Sequence, residues 1–102
     1  AMRAGQATAE QVDAAARQVI ADAGLGSEFR HRLGHGIGMD VHEPPFLTAG
    51  DTTVLQEGML FTVEPSIMQF DTFSARVEDV VVARPGGGEP LTTGYPQLIV
   101  VE

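Results

Sequence analysis

The spacing of apolar positions changes along the chain, and each change predicts a different element. Val12, Ala15, Ala16, Val19, Ile20 and Ala23 recur at helical spacing, so residues 9–23 are expected to form a helix with one apolar face. Thr8-Ala9-Glu10-Gln11 precedes that face and has the form of a capping box. In such a box the Thr8 hydroxyl accepts from the Gln11 amide while the Gln11 side chain reaches back to the Thr8 amide. Gly24 and Gly26 offer the stop, since a positive φ costs glycine little. Between residues 30 and 38 the pattern becomes glycine at alternate positions, Gly34, Gly36 and Gly38, interleaved with His35 and Ile37. That disfavours helix and suits an extended backbone closely approached by its neighbours. Pro44-Pro45 is expected to end the segment in a turn or a polyproline stretch.

Farther along, the period is that of strands. Residues 59–63, Met-Leu-Phe-Thr-Val, read as a buried strand closed by Pro65. Residues 76–83 are expected to form the best strand, with Arg76, Glu78, Val80 and Val82 on one face. Val77, Asp79, Val81 and Ala83 then share the other face. Pro85-Gly86-Gly87-Gly88 reads as a turn and residues 97–101 as a last strand. One helix followed by mainly antiparallel strands is an α+β arrangement. The length of 102 residues suits one domain or a piece of a larger one.

Composition narrows the chemistry. With 14 acidic residues against 6 basic ones, the net charge of −8 argues against nucleic acid and anionic membranes, which need basic faces. No apolar run approaches the roughly 20 residues of a membrane span. Cysteine is absent, so disulfides, thiolate metal sites and cysteine nucleophiles are excluded together. That fits a reducing compartment, and no basic and then apolar leader opens the chain, so a cytoplasmic location is expected.

The 3 histidines, His31, His35 and His42, are close together in the sequence. Glu64 and Glu78 sit inside or at the end of strand-like runs that otherwise favour burial, and a buried carboxylate is costly unless it is paired or binds metal. Imidazole and carboxylate without thiolate suit Zn, Mn, Fe or Co. On an extended backbone His31 and His35 would point the same way, whereas His42 needs a bend to join them. Each residue also has a plainer reading: a hydrogen-bonded structural histidine, a turn acid at Glu64, a Glu78 paired with Arg76. Asp79, Asp13 and Asp22 read as solvated acids. On the residues alone both readings stay open.

His31-Arg32-Leu33-Gly34-His35-Gly36-Ile37-Gly38, followed by Val41-His42-Glu43-Pro44-Pro45, resembles the signature of the pita-bread metallopeptidases. Residues 55–65 resemble that family's next block, and Arg76-Val77-Glu78-Asp79 its last. Arg76 and the additional His31 are similar to the Xaa-Pro dipeptidase and aminopeptidase P branch, since methionine aminopeptidases usually have glutamine at the first position and no counterpart of the second. The resemblance implies a C-terminal half of a pita-bread fold, a helix packed on a curved antiparallel sheet. It implies His35, Glu64 and Glu78 as metal ligands, with Glu64 also accepting a proton from the attacking water. His42 would steady the intermediate or shuttle a proton, His31 would contact substrate, and Arg76 would hold the Glu78 carboxylate. The full-length relative would use two divalent ions (Mn, Co or Zn) to activate water against a peptide bond before proline.

The family's two further aspartate ligands precede a helix like the one expected here, and residues 1–7 contain no acid. Residues 1–102 are therefore expected to be a partial domain holding at most one partial metal site. Alone, the chain is expected to be inactive and to self-associate as a homo-oligomer or pair with the other half. The alternative is an inactive pita-bread remnant or a protein-interaction module. Leu33, Ser66 and Met68 depart from the residues common at those positions.

Overall fold

The structure is a computed structural model that describes residues 1–69, 72–92 and 101. Helix α1 (Ala9–Asp22) begins at the capping box: the Gln11 amide donates to Thr8 Oγ1 at 3.4 Å and the Thr8 amide donates to Gln11 Oε1 at 3.0 Å. The next free amides of the first turn, Ala9 and Glu10, donate to the carbonyls of Thr53 and Asp51 at 2.9 and 2.8 Å. The helix start is thus tied to a loop distant in sequence, which satisfies donors that a helix end leaves unpaired. The helix ends at Ala23, before Gly24 at φ 81°, and a short 3-10 turn, Gly26–Glu28, follows.

The buried face of α1 differs from expectation. Ala9, Val12 and Asp13 are buried, Ala16 and Ile20 pack partly against the core, and Ala15 and Val19 face out, Val19 with 70% exposure. The reading of Asp13 as a surface acid is corrected: it is 2% exposed. Its carboxylate accepts two bonds from Arg17 at 3.1 Å each and one from the Leu33 amide at 3.0 Å, which offsets the cost of burying it.

The strands are β1 (Gly34–Gly36), β2 (Glu43–Leu47), β3 (Leu60–Val63), β4 (Ser66–Gln69), β5 (Phe73–Arg76), β6 (Asp79–Arg84) and β7 (Gly87–Pro90). Five of them form an antiparallel sheet in the order β2-β1-β3-β6-β7, and β4 and β5 form a separate hairpin. Alternation gives the main sheet two faces. Phe61, Val81 and Ala83 join Ala9, Val12, Phe29, Leu33, Leu47 and Leu55 in the core on the helix side. Leu60 and Thr62, opposite Val82 and Val80, take the other face. Gly34 lets β1 reach β3, since a Cβ there would stand 1.7 Å from the Thr62 carbonyl oxygen.

Two strand expectations change. Pro44-Pro45 lies inside β2, joined by a cis peptide bond, and does not end the segment. Residues 76–83 are not one strand, because pairing with the preceding segment is interrupted at Val77 and Glu78, between Arg76, which pairs with Ser66 in the hairpin, and Asp79, which pairs with Val63 in the main sheet. Across that gap β3 changes into β4 at Glu64-Pro65, and Pro65, which has no amide hydrogen, accepts from the Val77 amide at 3.1 Å. Val80 and Val82 share one face of β6, and Arg76 reaches Glu64 on the side where Thr62 lies opposite Val80. Most of the last expected strand, residues 97–101, lies outside the described residues.

Candidate metal centre

The face opposite α1 gathers the polar residues. Glu64 directly follows β3, and its amide donates to the Leu33 carbonyl at 2.7 Å, which anchors it beside β1. His35 lies within β1 and is 6% exposed. Its Nε2 stands 3.2 Å from Glu64 Oε2. The buried Thr62 joins the two: its hydroxyl accepts from the His35 amide at 3.2 Å and donates to Glu64 Oε2 at 2.7 Å. The other carboxylate oxygen, Oε1, is 3.5 Å from Arg76 Nη1.

On the far side of the ring, His35 Nδ1 is 2.9 Å from the Gly36 carbonyl. A carbonyl only accepts, so Nδ1 carries a proton, and Nε2 faces a carboxylate oxygen, to which it donates when protonated and which it meets as a second acceptor when not. Two acceptors facing each other at that distance need a cation or a second proton between them.

His42 reaches the same place. The ladder of β1 and β2 shifts register between His35 and Gly36, the chain bends through residues 38–42, and the two imidazoles end with centroids 4.3 Å apart. His31 lies at the edge, its Nε2 hydrogen-bonded to the buried Ser66 hydroxyl and its ring edge-on to Phe29 at 5.2 Å. Glu78 is exposed in the gap between β5 and β6. Among the described residues Arg76 is paired with Glu64, where the resemblance implied Glu78 as its partner. Among the described residues no three of His, Asp and Glu are grouped closely enough to hold an ion by themselves.

The sequence model of metallopeptidase family M24 matches residues 1–85. The chain belongs to this family. Probable dipeptidase PepE of Mycobacterium bovis is 50% identical over 94 residues, 92% of this chain and 25% of that protein. The Xaa-Pro dipeptidase of Lactobacillus delbrueckii subsp. lactis is 46% identical over 94 residues, 92% of this chain and 26% of that protein. A crystal structure of dipeptidase PepE from Mycobacterium ulcerans superposes with a TM-score of 0.92 at 48% identity, covering 98% of this chain and 27% of that one. The chain spans about a quarter of the length of the curated relatives it matches. Its α+β fold is that of the C-terminal half of a pita-bread domain.

Membership in family M24 implies the use of divalent metal, and two residues of this chain fit that use. His35 Nε2 and Glu64 Oε2 are a nitrogen and an oxygen donor turned toward one point, both held by hydrogen bonds from behind, as metal ligands are. Thr62 was not singled out in the sequence, although its alternation with Glu64 places both on one strand face. Ser66 appeared there only as a departure from the family pattern, and here it holds His31. Asp13 and Arg17 were also missed. Their acid–base spacing of one helical turn was the available signal. Arg17 donates to the carbonyls of Phe29 and His31 at 2.9 Å each and stacks 4.2 Å over the Phe29 ring, so α1 holds the segment that carries His31.

Proposed function

We propose that this chain supplies part of the active site of a metal-dependent dipeptidase that cleaves the bond before proline. The observation that carries the reading is the close pair of a nitrogen and an oxygen donor, His35 Nε2 and Glu64 Oε2, 3.2 Å apart and largely shielded from solvent. Glu78 is proposed as a further ligand, and the register supports it: carried one step past Val63 and Asp79, the ladder of β3 and β6 sets Glu64 against Glu78. Like charges opposite each other repel unless a cation lies between them. A divalent ion (Mn, Co or Zn) held by His35, Glu64 and Glu78 would polarise the scissile carbonyl and lower the pKa of a water.

The remaining roles belong to protein groups. Thr62 and Arg76 fix the two oxygens of Glu64, so the carboxylate presents a constant geometry when it accepts a proton from water. His42, stacked near His35 and exposed on its other side, is placed to donate to the developing oxyanion. His31, fixed by Ser66, lines the path of the peptide. The names of the relatives, dipeptidase and Xaa-Pro dipeptidase, support the substrate class.

The test is hydrolysis of alanyl-proline by a full-length protein carrying this segment, with Mn or Co supplied. Glu64→Gln should lower kcat by about 10²–10⁴-fold, the usual contribution of a general base. No turnover of alanyl-proline, or turnover untouched by Glu64→Gln, contradicts the reading.

A further inference from the structure

We propose, resting on the dipeptidase reading above, that Ser66 is a positioning residue: it takes the last free ring nitrogen of His31, so that His31 meets the peptide as a fixed aromatic wall and not as a hydrogen-bonding group. His31 Nδ1 is hydrogen-bonded to the Arg32 carbonyl, and a carbonyl only accepts, so Nδ1 carries a proton. Nε2 is hydrogen-bonded to the Ser66 hydroxyl. That hydroxyl donates to a neutral ring and accepts from a charged one, so Nε2 is engaged in either state. Both nitrogens are used within the chain. What the half-buried ring has left for a ligand is its face and its C–H edge.

The rest of His31 is held as well. Phe29 meets the ring at 74° with centroids 5.2 Å apart, and Arg17 holds the His31 carbonyl at 2.9 Å. Ser66 itself is 4% exposed. Exchanging it for a substrate atom at Nε2 would leave a buried hydroxyl without its partner, which opposes the exchange.

Ser66 owes its place to the β4–β5 hairpin. It stands directly opposite Arg76, and opposite residues of an antiparallel pair send their side chains to one face. From that rung Ser66 reaches His31, and Arg76 reaches Glu64 Oε1 at 3.5 Å. One rung thus sets the wall and the carboxylate at a constant separation. A fixed flat wall rewards a rigid apolar partner, and a proline ring, with its φ locked, has little freedom to lose on packing there.

The experiment has two arms. In this chain, long-range proton–nitrogen NMR spectra at about pH 8.5, well above the ordinary imidazole pKa of about 6.5, report which His31 nitrogen carries the proton. The proton should lie on Nδ1 alone. Ser66→Ala should move part of the population to Nε2, and Ser66→Thr, which keeps the hydroxyl, should restore the original pattern. In a full-length protein carrying this segment, Ser66→Ala should raise the KM for alanyl-proline about three- to ten-fold, as freeing one side chain that binding must freeze again implies, with kcat within about two-fold. Ser66→Thr should recover the KM. A lower KM in Ser66→Ala overturns the inference, because Ser66 would then be competing with substrate for Nε2. An unchanged KM, a proton on Nε2 in the unaltered chain, or a tautomer untouched by Ser66→Ala also contradicts it and leaves the dipeptidase reading standing. No turnover of alanyl-proline by the unaltered full-length protein overturns both.

Discussion

At the scale of residues, Glu64 joins the site together: Oε2 takes a hydroxyl from Thr62 and faces His35, and Oε1 faces Arg76. Thr62→Val keeps the shape of the side chain but removes both of these hydroxyl contacts. The His35 amide, buried, then loses its acceptor. The expected cost is about 1–3 kcal/mol, read as a lower urea midpoint with an unchanged slope. An unchanged midpoint would show that Thr62 does not hold the pair. Asp51 offers a separate test by pH. The Thr53 hydroxyl, with the Phe46 and Thr53 amides, lowers its pKa against an opposing effect of burial. A carboxyl whose folded pKa is lowered stabilises fully above its unfolded value of about 3.9 and loses that contribution as pH falls through the folded value. The stability advantage over Asp51→Asn should be flat near neutral pH and shrink below about pH 4. Denaturant titrations of both chains across that window check it, and a pH-independent difference would count against the assignment.

At the scale of elements, what could be read in the sequence was what is decided locally. The helix bounds and the capping box were legible because Thr8, Gln11 and Gly24 act on neighbours within one turn. The buried face of the helix was less so: Asp13 looks polar in sequence and is buried because Arg17 and the Leu33 amide satisfy it. The break at Val77 and Glu78 was hidden for a different reason. Alternation continues through residues 76–83, but the break lies opposite Glu64-Pro65, where Pro65 has no amide hydrogen to give, and that facing residue is a non-local fact. Of the site, His35, Glu64 and His42 were legible through their motif, whereas Thr62, Ser66 and Arg17 act through hydrogen bonds to residues distant in sequence or fold. Asp13→Ala should remove the charged acceptor that Arg17 and the Leu33 amide share, while Arg17 keeps the Phe29 and His31 carbonyls and the Leu33 amide keeps that of Leu47, and destabilise by about 1–3 kcal/mol. It should also perturb the ring signals of His31 more than those of His42, and equal perturbation would argue against a clamp specific to the 29–33 segment. Gly34→Ala places a methyl against the Thr62 carbonyl and should cost about 3 kcal/mol or prevent folding. A variant as stable as the parent would contradict the close approach of β1 to β3.

At the scale of the whole molecule, the sheet divides labour between its faces. One is sealed by α1 over Phe61, Val81 and Ala83, and the other carries His35, Thr62 and Glu64 beside Phe46. Among the described residues no helix is long and apolar enough to cross a membrane. Two of the proposed ligands converge and the third, Glu78, stands exposed nearby in the register, so this chain alone should not turn over alanyl-proline even with Mn or Co. The central claim is that His35 and Glu64 are ligands, and paramagnetic broadening by substoichiometric Mn²⁺ tests it most directly. The signals of His35, Thr62 and Glu64 should broaden first, followed by Glu78, and Glu64→Gln should abolish that order. Broadening that spreads first over surface acids such as Asp22 and Glu57, with His35 left sharp, would contradict it.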